Sequence, residues 1–256
     1  MKRPTVWITG ASSGIGLAFA RRYGQMGCRL ILTARRADRL QALAEELGVP
    51  CRVLPADLSR EDEYRRVCRL VADEPIDLFI NNAGLGTCGT FTETDPDREL
   101  FLMRVNVEAM HLLCKQVLRG MQARGHGTIL NVGSSAGLLP GGPYMAAYYA
   151  SKAYVVSLTR SIAEELRQQH SPVYVCALCP GPVDTDFNEQ AGVRFALKGI
   201  SPAFCVDEAL RGMLHRRTII VPGAGMRLCM RGQKLLPARL LLPLVAHQQR
   251  KKLGPD

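Results

Sequence analysis

"TVWITGASSGIGLAFARRYG", residues 5–24, joins a short apolar run to a glycine-rich turn and then to apolar residues at helical spacing. The apolar run is typical of a buried strand, and the period that follows is typical of a helix. Gly10, Gly14 and Gly16 fall in the turn. Although such turns also occur without a ligand, glycines here let the backbone approach a phosphate at a helix N-terminus. The stretch therefore predicts the first strand–turn–helix unit of an α/β fold.

The rest of the chain repeats this alternation of strand and helix. Further strand-like runs are RLILTA, CRVLPA, IDLFIN, GTILNV, VYVCAL and TIIV, and helical segments separate them. Short strands alternating with helices of 10–15 residues are typical of a parallel sheet. We predict one α/β domain, a doubly wound parallel sheet of about seven strands. Residues 1–225 are its expected extent, and residues 226–256 are expected to form a basic, leucine-rich tail.

Charge and composition exclude several classes of partner and site. The formal net charge is +10, but seven Lys and Arg residues and no acid lie between Arg227 and Lys252, so the tail holds much of the excess. No aromatic stacking platform accompanies this charge, so we expect no nucleic-acid partner. The nine cysteines are scattered, and the histidines show no metal-ligand spacing. We therefore expect a cytoplasmic protein without a disulfide framework or a metal site.

The residues able to do chemistry follow predicted strands. In doubly wound sheets, ligands bind beyond the carboxyl ends of the strands. The candidate cofactor contacts in these places are Gly10, Ser12, Ser13, Gly14, Ile15, Gly16, Arg35, Arg36, Asp57, Leu58, Asn82, Ala83, Gly84, Pro180, Gly181, Val183 and Thr185. Asp57 follows the third strand, where it could accept a hydrogen bond from an adenine or belong to the entry turn of the next helix. The pattern predicts one ligand crevice.

Arg35 and Arg36 indicate which dinucleotide binds. In such folds an acid after the second strand accepts from the adenosine ribose, whereas this chain has two arginines there and its first acid at Asp38. A guanidinium suits a 2′-phosphate and gives a free 2′-hydroxyl no acceptor. The alternative is a pair of solvated arginines at a helix start, where a positive charge opposes the helix dipole. We predict NADP(H) rather than NAD(H).

A tyrosine–lysine pair is the candidate acid–base group. "GPYMAAYYASK", residues 142–152, has Tyr148 and Tyr149 four and three residues before Lys152. Both spacings put the tyrosine on the lysine's face of a helix, so helix geometry alone leaves the choice open. A free tyrosine has a pKa near 10, and a nearby ammonium together with the positive charge of an oxidised nicotinamide is expected to lower it. Tyr144 and Met145 are candidate pocket residues.

Together these motifs resemble the short-chain dehydrogenase/reductase family, over residues 5–223. The resemblance rests on TGASSGIG (9–16), NNAG (81–84), Asn106, Ser135, YxxxK (148–152) and PGPVDT (180–185). It implies a Rossmann fold, a hydride-transferring enzyme, and a homodimer or homotetramer. The chain differs from the common family pattern at Cys179, where asparagine is frequent.

The resemblance implies a role for each catalytic candidate. Tyr148 would be the general acid in ketone reduction, and both Tyr148 and Lys152 would contact the cofactor. Asn106 would anchor a proton-carrying water. Ser135 would hold the substrate oxygen; it is preferred to Ser134 because it precedes Tyr148 by the usual 13 positions. Val183 and Thr185 would contact the nicotinamide carboxamide.

The substrate is expected to be an apolar carbonyl or alcohol, such as a steroid-like or acyl-chain compound. The segment after Thr185 contains the apolar residues Phe187, Val193, Phe195, Ala196 and Leu197, although core packing would explain them equally well. Three alternatives stand for the tail: packing over the cleft or against a partner subunit, contact with a membrane surface, or a loosely ordered extension. A nucleotide-binding protein without catalysis is the alternative for the whole chain.

Overall fold

A parallel sheet forms the centre of the protein, and the computed structural model describes residues 3–185 and 199–250. The strands are β1 Thr5–Thr9, β2 Arg29–Ala34, β3 Cys51–Pro55, β4 Leu78–Asn81, β5 Thr128–Val132, β6 Tyr174–Leu178 and β7 Ile219–Ile220. They lie in the order β3-β2-β1-β4-β5-β6-β7, all in parallel pairs. The predicted single α/β domain with a seven-stranded sheet is confirmed.

Helices connect the strands. They are α1 Gly14–Gln25, α2 Ala37–Leu47, α3 Glu61–Leu70, α4 Pro96–Met103, α5 Met110–Arg124, α6 Ala146–Gln168, α7 Pro202–Leu214, α8 Ala224–Gly232 and α9 Ala238–Arg250. A π-helical turn, Arg104–Ala109, joins α4 to α5, and 3₁₀ turns cover Ser135–Leu138 and Gln233–Leu235.

The sheet is covered on both faces, which explains why its strands are apolar throughout. Val6 and Ile8 of β1 pack on one side with Phe19 of α1. Trp7 points to the other side, where its ring stacks on Phe79 of β4 with 4.4 Å between centroids. Successive side chains of a strand point to opposite faces, and helices cover both faces. Every residue of β1 is therefore buried.

The site is positioned by the reversal of strand order between β1 and β4. From β1 the chain proceeds outward through β2 and β3, and from β4 it proceeds outward in the other direction through β5, β6 and β7. The two sets of connections therefore diverge above the carboxyl ends of β1 and β4. A crevice opens at such a reversal point, and the loops after the strands become its walls.

The C-terminal helices form two short pieces. Pro237 precedes α9 and Pro243 lies within it, so the basic region does not form one long helix. The expected boundary between residues 225 and 226 falls inside α8 and stays a prediction. Within residues 3–185 and 199–250, none of the helices combines the length and the apolar character needed to cross a membrane.

Candidate active site

A cavity of about 630 Å³ lies along the carboxyl ends of the strands. Of the predicted cofactor and catalytic residues, all except Gly16 and Asn106 line it. The lining set is Gly10, Ser12, Ser13, Gly14, Ile15, Arg35, Arg36, Asp57, Leu58, Asn82, Ala83, Gly84, Ser135, Tyr148, Lys152, Pro180, Gly181, Val183 and Thr185. Residues that are far apart in the chain are thus brought together by the parallel arrangement of strands.

The glycine turn is shaped as a cradle. Gly10 and Gly14 have φ angles of 66° and 54°, in the left-handed region that favours glycine. A Cβ on Gly16 would lie 2.2 Å from the carbonyl oxygen of Gly10. Asn82 fastens the turn, since its Nδ2 donates to the Thr9 carbonyl at 2.8 Å. Gly16 therefore packs closely against the turn, and Gly14 and Ile15, the first residues of α1, line the cavity.

The two arginines after β2 line the cavity. The guanidinium of Arg35 lies 5.8 Å from the centroid of the Phe101 ring, and the residue is exposed. Among the described residues, no carboxylate forms an ion pair with Arg35 or Arg36. Within the described residues, no acid therefore neutralises either positive charge, and both can attract an anion that binds in the cavity.

Asp57 belongs to the turn that leads into α3. Its Oδ1 accepts from the Ser59 amide at 3.0 Å and from the Ser59 hydroxyl at 2.8 Å. Asp57 and Leu58 nevertheless line the cavity. The entry-turn alternative is therefore observed, and the adenine contact stays a prediction.

Tyr148 and Lys152 both line the cavity. The Lys152 side chain is buried, and its Nζ donates to the Val132 carbonyl at 2.9 Å. This Nζ lies 5.9 Å from the centroid of the Tyr148 ring. Burial lowers the pKa of Lys152 to about 8 and raises the pKa of Tyr148 to about 12, with a Ser134 hydrogen bond opposing the rise at Tyr148. In the protein alone, burial outweighs any effect of the lysine on the pKa of Tyr148, and the lowering expected with an oxidised nicotinamide stays a prediction.

Ser134, the neighbour of the predicted Ser135, is hydrogen-bonded to Tyr148. Ser134 still has extended backbone, and its Oγ also accepts from the Ala136 amide at 3.1 Å. Ser135 begins the 3₁₀ turn, with its own amide donating to the Pro180 carbonyl at 2.8 Å. The assignment of Ser135 to the substrate oxygen stays a prediction, and the contact with Tyr148 favours Ser134 for that role.

Asn106 lies behind the wall, in the π-helical turn, and is buried. Its Nδ2 donates to the Leu85 carbonyl at 2.9 Å and to the Ser151 hydroxyl at 3.0 Å, so both amide hydrogens are used. Its Oδ1 accepts from the Leu85 amide at 2.8 Å. A Cβ on Gly84 would lie 3.3 Å from this Oδ1 and 3.2 Å from the Lys152 Nζ. Asn106 and Lys152 therefore border the same small space.

The PGPVDT motif packs against the glycine turn. A Cβ on Gly14 would lie 3.1 Å from the methyl group of Thr185, and Val183 pairs with Ile200 in an isolated parallel bridge. The apolar residues expected to cover the substrate, Phe187, Val193, Phe195, Ala196 and Leu197, lie outside the described residues.

The C-terminal helices supply a wall that the sequence analysis did not assign. Leu241 and Val245 of α9 are buried against Met145 and Tyr149 of the segment that starts α6. The tail residues that line the cavity are Met226, Cys229, Met230, Gly232, Gln233, Leu236, Leu241, Leu244, Val245, Gln248 and Gln249. The four-residue repeat of Leu241, Val245 and Gln249 was the available signal, since it forms one helix face. Of the three alternatives for the tail, packing over the cleft is the one observed.

The other two tyrosines contact the tail. The Tyr149 hydroxyl accepts from Gln249 Nε2, and its ring is buried. Tyr144, with φ 66°, accepts from Arg250 at 3.0 Å and does not line the cavity. The expected place of Tyr144 in the pocket is therefore wrong, while Met145 does line the cavity.

Comparison with known proteins agrees with this geometry. The family model described as short chain dehydrogenase matches residues 4–193. A galactitol 2-dehydrogenase from Cereibacter sphaeroides is 37% identical over 182 residues, which are 70% of this chain and 71% of that protein.

Two solved structures are similar over almost their whole length. A short-chain dehydrogenase from Sphingobium yanoikuyae, in complex with NADPH, superposes with a TM-score of 0.82 at 33% identity, covering 91% of this chain and 94% of that one. A bulky-bulky ketone specific alcohol dehydrogenase from Comamonas testosteroni gives 0.78 at 30% identity, covering 92% and 94%. From its strand order, its glycine cradle and these matches, the chain belongs to the short-chain dehydrogenase family of nicotinamide-dependent oxidoreductases that act on carbonyl and alcohol groups.

Proposed function

We propose that the protein is an NADP(H)-dependent oxidoreductase that interconverts a ketone and a secondary alcohol on an apolar small molecule. The observation that carries this proposal is the meeting of Tyr148, buried Lys152 and the glycine cradle in one cavity. The residues present fit the cofactor, because the glycine cradle would hold its phosphates and Tyr148 and Lys152 line the same cavity. A binding protein without catalysis would need the cradle but not the tyrosine and lysine.

The groups that act in each step lie in the cavity wall or directly behind it. Bound NADPH supplies a hydride to the carbonyl carbon, and NADP⁺ accepts one in the reverse direction. Ser134 donates a hydrogen bond to the substrate oxygen, so the role expected of Ser135 moves to its neighbour. Tyr148 gives its proton to that oxygen as negative charge develops on it. The Lys152 ammonium then stabilises the phenolate, and Asn106 holds a water beside Lys152 through the second lone pair of its Oδ1.

The remaining cofactor contacts are also proposals. Asp57 and Leu58 would meet the adenine, Asn82, Ala83 and Gly84 the middle of the cofactor, and Val183 and Thr185 the nicotinamide carboxamide. Their support is their position along the lining of the cavity, from the arginine end to the tyrosine end.

Arg35→Asp is expected to reverse the cofactor preference. The carboxylate would repel a 2′-phosphate and accept from a free 2′-hydroxyl. We expect kcat/KM with NADPH to fall on the order of 10-fold relative to NADH. Steady-state rates with both cofactors measure this ratio, with Arg39→Asp as a control because Arg39 is exposed and does not line the cavity. An unchanged ratio in Arg35→Asp would mean that the phosphate binds elsewhere.

An apolar substrate is supported by the walls around Tyr148, where Leu85, Leu139, Met145, Leu241 and Val245 line the cavity. A polyol, the substrate in the name of the C. sphaeroides relative, would leave most of its hydroxyls against these side chains. A screen of ketones and alcohols, following NADPH absorbance, tests the proposal. Turnover of none of them would favour the alternative of a nucleotide-binding protein without catalysis.

Assembly and location remain proposals. We propose a cytoplasmic homodimer or homotetramer, supported by the family resemblance. Light scattering coupled to size-exclusion chromatography gives the mass of the assembly.

A second candidate role is attachment to an anionic membrane surface through the C-terminal helices. Leu228, Leu235, Leu236, Leu240 and Leu244 are exposed there. The exposed cations Arg231, Lys234 and Arg239 lie among these leucines, and no acid occurs between Ala209 and Arg250. Apolar side chains with interspersed cations suit a surface rich in anionic lipids.

Leu235→Ser with Leu240→Ser is expected to abolish sedimentation with phosphatidylserine vesicles. These two leucines do not line the cavity, whereas deletion of the tail would remove a wall of it. Leu214→Ser is the matched control, since Leu214 is 80% exposed at the end of α7. If the unaltered protein stays in the supernatant with these vesicles at low salt, the membrane role is refuted.

A further inference from the structure

An amide of α9 has unused hydrogen-bonding capacity at the cavity. Gln249 is 3% exposed and lines the cavity, 100 positions away in sequence from the tyrosine that it contacts. Its Nε2 donates to the Tyr149 hydroxyl at 2.5 Å. Its Oε1 has no hydrogen-bond partner among the described residues. A buried acceptor without a partner is unfavourable, so this oxygen is suited to a polar group that arrives with a ligand.

The surroundings make this polar atom selective. On the same side of the cavity, Met145, Leu241 and Val245 present apolar side chains, which form a buried cluster with the Tyr149 ring. A few polar groups in an otherwise apolar wall fix the orientation of a bound molecule. The proposed reaction does not use Gln249, since Ser134 and Tyr148 already contact the substrate oxygen. Gln249 therefore offers a second polar contact to the same molecule.

The hydrogen-bonding groups of Gln249 and Tyr149 favour a hydroxyl group on the bound molecule. As arranged, Gln249 Oε1 accepts, and the Tyr149 hydroxyl, which accepts from Nε2, retains its own hydrogen to donate. With the amide reversed, Oε1 would accept from Tyr149 and Nε2 would be the free donor. A hydroxyl satisfies either arrangement, because it both donates and accepts. A carboxylate fits less well, since the guanidinium next to Gln249, that of Arg250, is bonded to Tyr144.

We propose that Gln249, positioned by Tyr149, binds a hydroxyl group that the substrate carries in addition to its reacting carbonyl. The preferred substrate is then an otherwise apolar hydroxy ketone, and the product of its reduction is a diol. This proposal rests on the proposed function, because it assigns a specificity contact within the same cavity.

Matched substrates test the contact. Each ketone is assayed as a hydroxy ketone, as its methyl ether and as the deoxy compound, with the hydroxyl at several distances from the carbonyl. For the unaltered enzyme, we expect kcat/KM for the best hydroxy ketone to exceed that of its deoxy analogue on the order of 10-fold, chiefly through KM. In Gln249→Leu this ratio falls to near one. His247→Leu, on the same helix but exposed and not lining the cavity, retains the ratio.

A second variant covers the case in which Gln249→Leu does not fold. Tyr149→Phe keeps the ring but removes the hydroxyl that holds the amide, so the ratio falls part of the way. Thermal midpoints check the folding of each variant. Absence of a preference for any hydroxylated ketone in the unaltered enzyme, or a preference that persists in both variants, overturns the proposal. An unaltered enzyme that reduces no ketone of the panel refutes the proposed function itself, which is a different result.

Discussion

Tyr148→Phe lowers kcat for ketone reduction on the order of 10²- to 10⁴-fold, because it removes the proton that the forming alkoxide needs. The ring remains, and so do Lys152 and the glycine cradle. NADPH is therefore expected to bind with nearly unchanged affinity. Initial rates and NADPH titrations by fluorescence on the same preparations measure the two effects separately.

The matched control is Tyr154→Phe. Tyr154 lies on α6 like Tyr148, but its hydroxyl bonds to His111 and it does not line the cavity. Loss of the Tyr154 hydroxyl is expected to keep kcat within about twofold of the value for the unaltered enzyme, as for other changes remote from the site. Substantial activity in Tyr148→Phe would contradict its assignment as the acid. A loss of kcat in Tyr149→Phe as large as in Tyr148→Phe would show that the wrong tyrosine was chosen.

Gly16→Ala is expected to weaken NADPH binding and to destabilise the fold together. The new Cβ would lie 2.2 Å from the Gly10 carbonyl oxygen, and backbone atoms cannot move aside without opening the turn. Overpacking of this kind costs about 1–3 kcal/mol. The corresponding loss of affinity reaches about 100-fold. Calorimetric NADPH titration and the thermal midpoint measure the two effects.

Gly225→Ala provides the comparison for Gly16→Ala. Gly225 lies in α8, and a Cβ there meets nothing within 4 Å. This substitution is expected to leave NADPH binding unchanged and to stabilise the helix by about 0.5–1 kcal/mol. Equal losses of affinity in the two variants would contradict the steric argument for the cradle.

The fold could be predicted from the sequence because its determinants are local. Apolar runs of four to six residues, helical periods and glycine turns each depend on neighbouring residues, and a parallel sheet follows from their alternation. The strand-end rule then gathered Gly10, Arg35, Asn82 and Val183 at one edge, and all four line the same cavity. The π-helical turn at 104–109 was missed, because one extra residue per turn leaves the apolar pattern almost unchanged.

Within the site, the sequence analysis succeeded where regular structure sets the spacing. Tyr148 and Lys152 are one helical turn apart, and α6 places both at the cavity. The count of positions does not decide between Ser134 and Ser135, because an irregular loop, 139–145, separates them from α6. The rise in the pKa of Tyr148 in the protein alone needed the tertiary structure, since the degree of burial depends on every element packed around the ring.

The sequence alone determined the sheet, the cradle, the tyrosine–lysine pair and the position of two arginines after the second strand. The tertiary structure decided which serine meets Tyr148, and that the tail closes over the cleft. It also brought Gln249 to Tyr149 and Arg250 to Tyr144, across 100 and 106 positions of chain. The physical reason is one of range. Hydrogen bonds within a turn or helix recur at fixed spacings, whereas contacts between distant segments depend on how whole helices pack.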